Sequence, residues 1–203
     1  MLAIIDYKAG NLTSVKRALA HLDILCAITD KPETILSAER VIFPGVGAAG
    51  KAMEVINSHG LFHVIHEVVS RGTPFLGICL GTQIILERSE EDTATCLGII
   101  SGMARRFAGG EIKIPHMGWN TLSVRRPHSI LKGIDPRTQF YFVHSYYPVP
   151  LNQEDIIATT DYNVSFASII GHQNVVATQF HPEKSGQVGL RLLKNFCEWD
   201  GVL

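Results

Sequence analysis

Between Leu2 and Ser89 the sequence alternates two kinds of run, and this alternation limits the fold more than any other feature. "LAIID" (2–6), "ILCAIT" (24–29), "RVIFP" (40–44) and "TPFLGI" (73–78) are short, apolar and rich in β-branched residues. Helix-like stretches lie between and after them: "NLTSVKRALAHL" (11–22), a short piece from Pro32, two around 48–57 and 61–71, and "LGTQIILERS" (80–89). Such alternation predicts an α/β fold with a parallel sheet covered on both faces. From Gly98 to Gln179 the pattern changes to short β-rich runs broken by Gly, Pro and Asn, which predicts antiparallel hairpins. A last helix is expected in "GQVGLRLLKNFCEW" (186–199). The expected architecture is a mixed, mostly parallel central sheet flanked by helices. With no repeat, low-complexity tract or linker, residues 1–203 read as one domain.

Composition narrows the function. Hydrophobic residues make up 46% and charged residues 18%, a globular balance. A formal net charge of −1 and the lack of a basic stripe argue against nucleic acid. Apolar runs are strand-sized, far below the ~20 residues of a membrane span. "MLAIIDYKAGN" has no basic leader and meets Asp6 early, so it does not read as a signal peptide. The four cysteines (26, 79, 96, 197) form no CxxC pair. Reduced thiols and a cytoplasmic location are therefore expected.

"PFLGICLGTQ" (74–83) places Cys79 between two near glycines where a strand gives way to a helix. Ligands of open α/β sheets bind beyond the carboxyl ends of strands, and the spacing matches a nucleophile elbow with sulfur in place of oxygen. Helix 80–89 would favour the thiolate at its N-terminus, and the Leu80 amide would face an oxyanion formed by attack at sulfur. A buried structural cysteine is the plain alternative. The partner that decides between them lies in "QFHPEKS" (179–185). His181 and Glu183 are two apart, and in an extended segment kept open by Pro182 their side chains share a face. Alone, "HPE" reads as a surface turn. Together with the elbow it reads as a Cys79–His181–Glu183 triad.

G-x-C-x-G-x-Q followed about a hundred residues later by H-P-E resembles the class I glutamine amidotransferases over the whole chain. "PGVGAAG" (44–50), "PHMGWN" (115–120) and "YFVHSYY" (141–147) fall where that family has motifs. "PHMGWN" and "IIDYKAGNL" resemble one branch, the glutaminase subunits of imidazole glycerol phosphate synthase in histidine biosynthesis. Thr82 departs from the Met many members carry. The resemblance implies backbone oxyanion donors at Gly47 and Leu80, and glutamine binding by Gln83 and the backbone at Ser145 and Tyr146. It implies a heterodimer with a (β/α)8-barrel cyclase that takes up the ammonia and makes imidazole glycerol phosphate and an aminoimidazole carboxamide ribotide. Asn11, His116, Gly118, Trp119 and Lys184 would lie at or near that interface. No metal or organic cofactor is implied. The segment Glu90–Cys96 varies in the family and suggests no role.

Other features carry less. "GVGAAG" (45–50) spells G-x-G-x-x-G after a strand, but two helical stretches precede the next strand, unlike a dinucleotide unit. His59, His63 and His66 share a helix face, expected to be solvated, with no acid or thiol to complete a metal site. Cys26, Cys96 and Cys197 read as core residues. Three rival readings remain: a glutaminase serving another synthase, a thiol sensor or binding module without turnover, and a cysteine esterase. "PHMGWN" argues against the first and the His181–Glu183 pair against the second.

Overall fold

A computed structural model describes residues 1–8, 12–110 and 112–202. Its first half follows the alternation: β1 (Leu2–Ile5), α1 (Leu12–His21), β2 (Cys26–Thr29), α2 (Pro32–Leu36), β3 (Arg40–Gly45), α3 (Ala49–Ser58), α4 (Leu61–Ser70), β4 (Phe75–Cys79) and α5 (Leu80–Ile84). Then come β5 (Arg88–Ser89), β6 (Gly102–Arg106), β7 (His116–Thr121), β8 (Ser123–Val124), β9 (Gln139–His144) and β10 (Tyr146–Pro150). The chain ends with β11 (Ile156–Tyr162), β12 (Val164–His172), β13 (Val175–Thr178) and α6 (Gly186–Glu198).

The main sheet has the order β2-β1-β3-β4-β13-β12-β11-β8. β2, β1, β3, β4 and β13 are parallel, and β12, β11 and β8 continue the sheet antiparallel. Alternate residues of each buried strand serve opposite cores, as a period of two requires. Ala3, Ile5, Val41 and Phe43 pack with Ile35, Met53, Ile56 and Ile65 on one face. Leu2, Ile4, Ile42 and Leu76 pack with Val15, Leu19, Leu192 and Phe196 on the other. Apart from Ala3, each such side chain contributes about 1.5–3 kcal/mol by burial. None of the described helices is long and apolar enough to cross a membrane.

Two expectations change. Among the described residues, successive hairpins occur only in β11-β12-β13; β6 pairs with β10 and β7 with β9 in separate small sheets. The helix expected over 80–89 stops at Ile84. The carbonyls of Ile84, Ile85 and Leu86 accept from the amides of Leu97, Ile99 and Gly98, so a distant segment takes the bonds that a longer helix would use.

Glycine closes the turn into α5. A Cβ on Gly81 would run into the Phe43 carbonyl oxygen, and one on Gly45 would sit 2.6 Å from the Leu80 Cβ. Gly81→Ala gains helix propensity but overpacks rigid backbone, and should lose about 1–3 kcal/mol of stability. Urea unfolding reads this as a lower midpoint at unchanged slope; an unchanged midpoint contradicts it.

Candidate active site

Four neighbouring parallel strands deliver the site at their carboxyl ends: Tyr7 beyond β1, Val46 and Gly47 beyond β3, Cys79 ending β4, and Gln179 and His181 beyond β13. Cys79 has φ 53° and ψ −102°. A side chain in that region costs about 1–3 kcal/mol and persists only where the surroundings impose it. The Gly45–Cys79 register with β3 imposes it on one side. On the other, Thr82 Oγ1 donates to the Thr178 carbonyl (2.6 Å), tying α5 to β13. The elbow thus turns the thiol into a cavity of about 400 Å³, lined also by Gly47, Leu80, Gln83, Glu91 and His181. α5 is a single turn, too short for the dipole expected of helix 80–89, so nearby amides are the donors available to sulfur.

His181 is fixed through its backbone. Its amide donates to the Tyr141 carbonyl (2.9 Å), and Ser185 Oγ donates to its carbonyl (2.7 Å). The residues after it are not extended: Pro182–Lys184 form a 3-10 turn that starts on the preset φ of proline. The turn still brings Glu183 Oε1 to 2.7 Å from His181 Nδ1, with both side chains only 2% exposed. A carboxylate only accepts, so Nδ1 carries hydrogen and Nε2 is left for Cys79. Nε2 is buried with no geometric hydrogen-bond partner among the described residues. The Cys79 sulfur nonetheless acts on it through charge and proximity. Burial alone would pull the imidazole down; Cys79 first and Glu183 next outweigh it and push His181 up to about 10.

Gln83 is buried at the cavity wall. Its Nε2 donates to the Tyr146 carbonyl (3.0 Å) and to Gln179 Oε1 (3.2 Å). Both amide hydrogens are thereby used, and Gln83 Oε1 has no partner among the described residues. Gln179 Nε2 in turn reaches Cys79 Sγ at 3.8 Å. Ser145 and Tyr146, at the β9–β10 junction, line the same cavity. Gly47 lies there with φ +104°, a conformation that suits glycine. Before it, Val46 is gripped by Tyr7: the phenol accepts from the Val46 amide (2.9 Å) and donates to its carbonyl (3.0 Å). Burial pushes that phenol up to about 12, so it stays protonated.

Tyr7, Gln179, His144 and Glu91 escaped the sequence reading. Glu91 lies in the segment given no role. It lines the cavity, and its Oε2 accepts from the Ala49 amide (2.7 Å). Burial raises its carboxyl above the ordinary range against that bond. The sequence signal was the acidic run Glu90-Glu91-Asp92 after the elbow helix.

Of the residues expected near a partner, Asn11 lies outside the described residues. Trp119 is 53% exposed beside Met117 on the outer face of β7, and Lys184 is exposed at the cavity rim. Gly118 is half-buried, and His116 is buried on the inner face. His59, His63 and His66 do not share one helix face: His59 caps α3, while His63 and His66 lie on α4, where His66 Nε2 bonds the Leu97 carbonyl (2.9 Å).

The family description "Glutamine amidotransferase class-I" matches residues 3–199. The chain belongs to this family. Among curated class I relatives, the imidazole glycerol phosphate synthase subunit HisH of Desulfovibrio desulfuricans is 54% identical, covering 98% of this chain and 94% of its own. The HisH subunit of Dehalococcoides mccartyi is 47% identical over 97% and 96%. Solved structures share the fold at low identity. A crystal structure of a glutamine amidotransferase has a TM-score of 0.75 at 21% identity, covering 99% of both chains. A PurLQS structure from Thermotoga maritima has a TM-score of 0.76 at 17% identity, covering 97% of both. These likenesses are of fold.

Proposed function

We propose that this amidotransferase is the glutaminase subunit of an imidazole glycerol phosphate synthase, hydrolysing glutamine and passing ammonia to a cyclase. The observation that carries the chemistry is the buried His181–Glu183 pair, 2.7 Å apart, in one cavity with Cys79. Sulfur forms a bond to the carboxamide carbon, and the carbonyl π electrons move to oxygen, facing the amides of Leu80 and Gly47. His181 gives the Nε2 proton to the amide nitrogen, the C–N bond breaks, and ammonia leaves. Water then attacks the thioester as His181 takes its proton; the C–S bond breaks, giving glutamate and the thiolate. Glu183 holds the Nδ1 hydrogen throughout. Glu91 and Gln83 Oε1 are acceptors suited to the substrate ammonium, and the backbone at Ser145 and Tyr146 suits its carboxylate. None of these steps needs a metal or organic cofactor.

Ammonia released to water at neutral pH becomes ammonium, which is not nucleophilic, so a docked acceptor enzyme is favoured. The named HisH relatives are subunits of a synthase, and exposed Trp119 and Met117 offer an apolar face near the cavity. We place a (β/α)8-barrel cyclase there as heterodimer partner, near Gly118, Trp119 and Lys184, with His116 beneath. The test is glutamate release alone and with a histidine-pathway cyclase carrying its ribonucleotide ligand. A strong rise with the loaded cyclase is expected. Activity indifferent to the cyclase keeps the glutaminase and discards the pathway.

A further inference from the structure

Behind the glutamine end of the site, two buried histidines touch. His116 Nδ1 and His144 Nε2 are 3.0 Å apart. His144 Nδ1 lies 2.7 Å from the Tyr146 carbonyl, and His116 Nε2 lies 3.4 Å from Asn120 Nδ2. The direction of each bond follows from its ends. A carbonyl only accepts, so His144 Nδ1 carries hydrogen and its Nε2 can accept from His116 Nδ1. At the other end, Asn120 Oδ1 accepts from the Thr121 amide (2.9 Å), and Nδ2 donates to the Asp161 carbonyl (3.0 Å). That leaves Nδ2 as donor to His116 Nε2. Taken together, the two ends fit two neutral imidazoles of one tautomer. A proton on either ring would set two N–H groups face to face or leave Nδ2 opposite an N–H.

The rings are also held in place. His116 stacks between Tyr162 (4.0 Å, 24°) and Phe142 (4.9 Å, 26°). Burial pushes His116 down to about 4 and His144 to about 3, in keeping with neutral rings. The Tyr146 carbonyl then has both lone pairs occupied, one by His144 and one by Gln83 Nε2. Gln83 can meet that carbonyl only with its nitrogen.

We propose that His116 and His144 are positioning residues for glutamine: as a neutral pair they aim the Tyr146 carbonyl at Gln83 and so hold Gln83 Oε1 toward the cavity as an acceptor. This rests on the glutaminase reading above. The pair does not touch sulfur, so its loss acts on substrate binding before it acts on the thiol.

The test follows alkylation of Cys79 by iodoacetamide, read by peptide mass, with increasing glutamine. In the wild type, bound glutamine shields Cys79. In His116→Phe, which keeps the stacking and loses both hydrogen bonds, alkylation without glutamine stays within about 2-fold. The glutamine needed for half-protection rises about 10-fold. His116→Asn, which can still donate to His144 Nε2, returns to within about 3-fold of wild type. No protection in the wild type defeats the glutaminase reading itself. Wild-type protection with an unchanged midpoint in His116→Phe overturns the positioning role alone. So does an equal loss in the Phe and Asn variants, because packing would then be the cause.

Discussion

Cys79→Ala lowers glutamate release at least about 1,000-fold while the protein stays folded and binds its partner. In the proposed mechanism sulfur is the atom that forms the thioester, and the other cysteines do not line the cavity. What survives is the contribution of oxyanion donors and substrate positioning to direct attack by water. Backbone strain should not change, because alanine at φ 53° carries the same cost as cysteine. Cys79→Gly abolishes activity equally but relieves that strain, raising the unfolding midpoint above that of Cys79→Ala. The two variants together separate the chemical role of position 79 from its conformational cost. Sulfur is also the first of the influences that raise His181. In Cys79→Ala the imidazole should titrate well below its wild-type value by nitrogen NMR. Adding His181→Ala to Cys79→Ala costs little more, since triad members act as a unit. Glutamate release within about 10-fold of wild type in Cys79→Ala would sink the nucleophile assignment.

The sequence exposed what local chemistry dictates. β1 reads as a strand because Leu2, Ala3, Ile4 and Ile5 are apolar on both faces, and both faces are buried. The elbow was legible because close packing calls for glycine there: a Cβ on Gly81 would strike the Phe43 carbonyl, and one on Gly77 would be crowded at 3.0 Å. Long-range bonding stayed hidden. "QIILE" looks like continuing helix, yet α5 ends at Ile84 because residues 97–99 capture its carbonyls. β7 seeks β9 across an intervening segment, and nothing in "PHMGWN" announces that partner. The site divides the same way. Cys79, His181 and Glu183 belong to motifs with fixed spacing. Tyr7, Glu91, Gln179 and His144 are single side chains whose meaning comes only from what the fold sets opposite them. Even the His181–Glu183 contact forms through a 3-10 turn where an extended segment was expected. The pairing was readable while its backbone was not.

Glu183→Gln should cost about 1,000-fold or more in kcat, and should also destabilise the fold wherever His181 is protonated. In the wild type, Oε1 accepts from Nδ1, which leaves Nε2 to exchange protons with sulfur and with the leaving nitrogen. A glutamine can turn its NH2 toward Nδ1, forcing hydrogen onto Nε2 and preventing that nitrogen from taking a proton. It can also keep its oxygen there, in which case the NH2 occupies the position of Oε2, buried without a partner among the described residues. Either arrangement is poorer for catalysis. The substitution leaves a buried imidazolium with one fewer negative neighbour, which lowers stability while His181 is protonated. The pH dependence has a defined sign. His181 in the folded protein, at about 10, lies above its ordinary 6.5, against the pull of burial. Its protonation therefore stabilises the fold fully below pH 6.5, and that contribution is lost as pH rises through about 10. The advantage of the wild type over Glu183→Gln in urea unfolding should be larger at pH 6.5 than at pH 10. The variant's activity should fall at a lower pH on its alkaline side, because the imidazolium has lost one of its two negative supports. A kcat within about 10-fold of wild type, with an unmoved alkaline limb, would remove Glu183 from the proton-transfer machinery.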